Sequence, residues 1–148
     1  NISESICGHS KYNNHMFYHH NPLINIDHYN YYVRCVDRFK NLLQNQKCKL
    51  FIMTFVNGEH NSHSNTFLNN IIDFNNNFSN YTSNYILLVI IHYPNKQKNH
   101  HIFTYSNNIH FLELHTLSSC TGTEFANNND NIYLDNIINS KYNFDIKH

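Results

Sequence analysis

A chain of 148 residues, 41% hydrophobic with eleven Phe and eleven Tyr, carries enough apolar material for one α/β-sized core and little more. Its ten Lys and Arg balance its ten Asp and Glu, so it lacks the basic excess that holds a phosphate backbone and the acidic excess of a solvating tail. The longest apolar run, residues 85–91, falls far short of the ~18 residues of a membrane span. Neither nucleic acid nor a membrane is an expected partner.

Residues 1–16 read as an N-terminal extension, or the remnant of an upstream segment, ahead of a single α/β domain over 17–148. From His28 to Gln44 the apolar positions Tyr29, Tyr32, Val33, Val36, Phe39, Leu42 and Leu43 recur at three and four. That spacing predicts an amphipathic helix with Asp27 as its cap. Residues 49–56 form a short apolar run ending at Asn57-Gly58, a buried strand and its turn. A second helix is predicted over Ser64 to Phe78, then the strand Tyr85 to Ile91, stopping at His92 and Pro94. Two further strands, Ile102 to Tyr105 and Ile109 to His115, precede a polar loop and a closing helix through Tyr133, Leu134, Ile137 and Ile138. Helix and strand alternate, and the strands are continuously apolar. The expected fold is therefore α/β, a three-layer, mainly parallel sheet with helices on both faces. In such sheets ligands gather beyond the carboxyl ends of the strands, which places the loop from Asn57 to His63 and His92 at the expected mouth of a site.

Asn makes up about a fifth of the chain, alongside abundant Ile, Tyr, Phe and His, a composition that A/T-rich codons produce. The thirteen His invite a metal hypothesis, most tightly at Glu59-His60-Asn61-Ser62-His63 and at the pairs His19-His20 and His100-His101. The order Glu-His-x-x-His is not the zinc-protease order His-Glu-x-x-His, and codon bias alone generates such pairs; no metal or other cofactor is expected. With only three Gly, the chain has no phosphate-cradling loop. Its four Cys show no Cys-x-x-Cys spacing, which favours reduced thiols and a cytoplasmic setting, host cytoplasm or virion if viral. Cys120, in the small polar stretch 118–123, is the best-placed thiol nucleophile, with His92 or His115 as its base; the alternative is a small buried hydrophobe.

The only two arginines, Arg34 and Arg38, sit one helical turn apart on a polar ladder continued by Asn41 and Asn45. Guanidinium offers a planar, permanently charged fork matched to carboxylate or phosphate, so the pair reads as an anion-capture site; the alternative is a solvated face with Asp37 as partner.

Five short motifs then fall in order: Phe17-Tyr18-His19-His20; Tyr32-x-Arg34 with Arg38-Phe39; Leu50-Phe51-Ile52; Leu87-Leu88-Val89-Ile90 with His92; and Gly122-x-x-Phe125 with Asp130-Asn131. Together they resemble the papain-like cysteine peptidase family known as DUF1796, whose members occur in bacteria, plants and giant viruses. Two departures stand out. Cys35 occupies the second place of an arginine pair in the family motif, and Cys7 lies just twelve residues before His19, closer than the family's conserved upstream cysteine. The chain therefore looks like the C-terminal part of the family unit.

The resemblance implies a hydrolase or transferase acting on a glycan or peptide, with His20 and His92 as catalytic candidates and Arg34 and Arg38 as substrate-binding candidates; Cys120 joins the catalytic and Asn57 the substrate-binding candidates from their positions after the strands. The alternative is a truncated, non-catalytic module that keeps a pocket for a small anionic or glycan ligand. Oligomeric state is not legible in the sequence.

Overall fold

The computed structural model describes residues 7–9, 11, 13–17, 20–58 and 64–144. The chain divides into two compact units, Asn1–Asn45 and Gln46–His148. The motif Glu59 to His63 and His19 lie outside the described residues.

The first unit holds strands β1 (Cys7–His9) and β2 (Asn13–Phe17), paired antiparallel, and helix α1 (Ile26–Gln44). The helix begins earlier than its apolar periodicity suggested. Asn25, in extended conformation, caps it by accepting from the N–H groups of Asp27 and His28 at 2.9 and 3.3 Å, and Asp27 instead lends its charge to the first turn. The apolar stripe is where the sequence put it, yet no residue of α1 is buried, and Tyr29, Val33, Val36, Phe39 and Leu42 are all exposed.

The second unit is α/β. Strands β3 (Lys49–Phe55), β4 (Tyr85–Tyr93), β5 (His100–Ser106) and β6 (Ile109–His115) form one sheet in the order β3-β4-β6-β5. β3 and β6 both run parallel to β4, and β5 closes the far edge antiparallel to β6. Helix α2 (Asn65–Phe78) connects β3 to β4, and α3 (Asn128–Lys141) follows β6. The sheet is therefore mixed but mostly parallel, as the continuous apolar runs predicted.

Alternation along β4 divides the core in two. Leu87, Val89 and Ile91 join Ile71 of α2 and the half-buried Phe51, Phe55, Phe67 and Phe78; Leu88 and Ile90 join Leu112, Leu114, Phe125 and Ile137 of α3. In the first cluster the aromatic rings meet edge to face, Phe51 on Phe78 at 4.9 Å and Phe55 on Phe67 at 4.9 Å, which fills volume that a chain poor in Ala and Gly must fill with rings. The Tyr85 hydroxyl donates to the side-chain oxygen of the buried Asn75 at 2.8 Å, so the one polar residue of that α2 face is satisfied.

With so few glycines, the chain bends on asparagine. Asn57, Asn84, Asn95 and Asn107 all take left-handed backbone, φ 61°, 53°, 59° and 55°. Asn tolerates that region better than other residues with a side chain. Asn107 sits in the two-residue turn of the β5–β6 hairpin, and Asn84 ends the approach to β4 while its amide donates to the Gln46 carbonyl at 2.8 Å. No helix among the described residues is long and apolar enough to cross a membrane.

Leu112, fully buried in the α3-side cluster, and Ile52, 53% exposed on β3, test this layout. Leu112→Ala is expected to cost about 2–5 kcal/mol in urea unfolding, whereas Ile52→Ala on the open edge strand should cost under about 1 kcal/mol. Equal losses at the two positions would place the core elsewhere.

Candidate functional site

The carboxyl ends of β3 and β4 open onto a cavity of about 270 Å³. Thr54, Val56, Ile90 and His92 form its sheet wall, the loop from Cys120 to Phe125 a second wall, and Asn131, Leu134 and Asp135 of α3 the third. This is where an open parallel sheet gathers ligands, and it is where the sequence placed Asn57 and His92.

His92, on the last turn of β4 pleat before Tyr93, is 1% exposed and hydrogen-bonded at both ring nitrogens. The backbone N–H of Asn57 donates to Nδ1 at 3.2 Å, so Nδ1 must carry a lone pair. A neutral ring then has its proton on Nε2, which donates to Thr116 Oγ1 at 2.6 Å, and that hydroxyl in turn donates to the Ser118 carbonyl at 2.7 Å. Burial lowers the imidazole pKa below its ordinary value, against the opposing pull of the Asp130 carboxylate, while His115 adds to the lowering. Phe125 packs on the ring, 4.8 Å between centroids.

Asn57 is the joint of the site. Its left-handed backbone aims its N–H at His92, the next N–H, on Gly58, donates to the His92 carbonyl at 2.8 Å, and its side-chain amide clamps the backbone of Cys120. Nδ2 donates to the Cys120 carbonyl at 3.2 Å and Oδ1 accepts from the Cys120 N–H at 2.9 Å. Asn131 does the same to Phe125, accepting from its N–H at 2.9 Å and donating to its carbonyl at 3.3 Å. Cys120 and Phe125 are themselves bridged as antiparallel partners. The loop between them is thus tied at its base by two carboxamides and closed inside by Thr121 N–H on the Glu124 carbonyl at 2.8 Å. The thiol of Cys120 is half-buried in the cavity wall and accepts weakly from Gly122 N–H at 3.4 Å.

Behind the cavity lies Asp130, fully buried in the first turn of α3. Burial works to raise its pKa, but hydrogen bonds from the Ser118 side chain and backbone, Asn99 and Leu117 outweigh that and hold it below the usual carboxylate value. The Ser118 hydroxyl donates to it at 2.7 Å and in turn accepts from Asn127 N–H at 2.9 Å, so the charge is met by hydroxyl, amides and helix amino end with no cation required.

The remaining candidates belong to the first unit. His20 stacks on Tyr31 at 5.5 Å and meets His28 edge-on at 4.7 Å, an aromatic cluster at the start of α1. Arg34 and Arg38 are exposed on α1, and Arg38 donates from Nη2 to Cys35 Sγ at 3.2 Å. That bond lowers the Cys35 pKa, and the Tyr31 hydroxyl, by donating to the same sulfur, has its own pKa raised. The structure thus brings His92, Cys120 and Asn57 together in the second unit and keeps His20, Arg34 and Arg38 on the first. The roles of Thr116, Ser118 and Asn131 were not singled out by the sequence; a Ser/Thr/Cys-rich stretch after an apolar strand was the trace of the first two, and the pair Asp130-Asn131 that of the third. Among the described residues no group of three or more His, Cys, Asp or Glu is arranged to hold a metal. No family model matches the chain, and no curated protein or solved structure matches it either.

The buried ring gives stability a pH signature. Above about pH 6.5 His92 is neutral folded or unfolded; below it the unfolded chain takes up a proton that the folded ring refuses, so stability falls with pH until the lowered folded pKa is passed. Denaturant unfolding at pH 7.5 and 5.0 should show a smaller loss for His92→Asn than for the parent chain; an equal loss in both would mean that His92 titrates normally.

Proposed function

We propose that the second unit is a three-layer α/β ligand-binding domain whose site is the cavity at the carboxyl ends of β3 and β4, non-catalytic and built for a small molecule. The observation that carries this reading is the engagement of both His92 nitrogens. A general base needs a free lone pair, and the lone pair of Nδ1 is held by Asn57 while Nε2 is committed to Thr116. His92 and Asn57 then act as positioning residues that fix the loop carrying Cys120, and the apolar faces of Val56, Ile90 and Leu134 supply the contact surface.

A second reading keeps the hydrolase or transferase implied by the papain-like peptidase resemblance. One observation favours it: Cys120 and His92 line the same cavity, and a backbone N–H already points at the thiol sulfur. It requires His92 to release Asn57 before it can accept the thiol proton. In the first unit, Arg34 and Arg38 remain the proposed anion-holding pair, with Arg38 leaving Cys35 when a carboxylate or phosphate arrives.

Titration with 1-butanol, followed by the methyl resonances of Val56, Ile90 and Leu134, is expected to give saturable shifts in the parent chain and in Cys120→Ala. Thr54→Trp, which places a ring in the cavity from an exposed strand position that favours aromatics, should abolish them with the fold retained. Shifts that never saturate, or that survive Thr54→Trp, would contradict a cavity site. Ester turnover lost in Cys120→Ala would decide for the enzymatic reading.

A further inference from the structure

Resting on that cavity reading, we infer that the site selects a small amphiphilic cation, an ammonium or amidinium group on a short apolar tail. At about 270 Å³ the cavity is at or below the lower end of the ~300–1,000 Å³ that drug-sized ligands occupy, so the ligand is small. Its walls are apolar where Val56, Ile90, Phe125 and Leu134 meet, which calls for a hydrocarbon portion. Two carboxylates, Glu124 from the loop and Asp135 from α3, line the same space, and no Lys or Arg does.

The other polar groups do not offset that charge. His92 is neutral when both its nitrogens bond as they do, and the carboxamide of Asn131 is spent on Phe125. The amino end of α3, which could otherwise attract an anion, is already met by the Asn127 cap and the buried Asp130 carboxylate. An anion entering here would face two carboxylates with no cationic side chain to hold it. A cation gains from both, screened because Glu124 and Asp135 are exposed.

Cys120 lets the cavity report its own preference. In thiol–disulfide exchange its thiolate attacks one sulfur of a symmetric reagent, a mixed disulfide forms, and one small thiol leaves. Three reagents of similar size differ in charge: cystamine is cationic, bis(2-hydroxyethyl) disulfide neutral and 3,3′-dithiodipropionate anionic. Labelling of the full chain is read by peptide mapping, with Cys120 of the urea-unfolded chain as the reference thiol. After that normalisation, cystamine should label Cys120 about tenfold faster than the neutral reagent, and the anionic one should be slowest. Glu124→Gln with Asp135→Asn should level the three rates.

Equal rates in the parent chain, a fastest anionic reagent, or a preference that survives the double variant would each overturn the inference. Saturable butanol binding alongside such a result would leave the cavity standing and remove only its charge selectivity. Failure of butanol to bind would instead remove the cavity reading on which the inference rests.

Discussion

Everything in the second unit turns on a buried imidazole that is hydrogen-bonded at both nitrogens. A polar ring without partners in a fully apolar environment would cost several kcal/mol, so the positions of its donors and acceptors are as constrained as any core contact. His92 receives Asn57 N–H from the turn after β3 and gives its own proton to Thr116 just past β6. The ring therefore ties the ends of three neighbouring strands β3, β4 and β6, the three that run parallel. From Thr116 the chain of bonds runs to Ser118, and Ser118 anchors the first turn of α3 through Asp130 and Asn127. Strand ends, loop and helix are held in one arrangement, and the cavity is the space they leave.

Two asparagine clamps extend that control to the loop. Asn57 and Asn131 each satisfy both backbone groups of one residue, Cys120 and Phe125, at the two feet of the turn. A side-chain amide can replace a β-strand neighbour because it presents a donor and an acceptor in the spacing of a peptide group. The position of the Cys120 thiol thus follows from backbone geometry.

The sheet was legible in the sequence because its strands are short apolar runs bounded by turn residues, and β4 is long enough to leave little ambiguity. The apolar stripe of α1 was equally legible, but periodicity reports a face and not what covers it; the structure leaves Val36 and Phe39 exposed. Asparagine was the hardest residue to read. In a chain where it is about a fifth of all residues, individual Asn carry little signal, yet Asn25 and Asn127 cap helices, Asn57, Asn84, Asn95 and Asn107 make the bends that glycine usually makes, and Asn57 and Asn131 build the site. The position of His92 at a strand end was visible. Its partner Thr116 lies 24 residues on and becomes adjacent only when β4 and β6 pair, so an exposed acid–base role and a buried structural one looked alike.

His92 is a neutral, Nε2-protonated ring locked between Asn57 and Thr116. Nitrogen-15 NMR of the histidine side chains tests it directly. The His92 imidazole is expected to carry its proton on Nε2, to exchange it slowly with water, to stay neutral below pH 6.5 and to shift its signal when Thr116 is replaced by Val. A His92 that protonates near pH 6.5, or carries its proton on Nδ1, would contradict it.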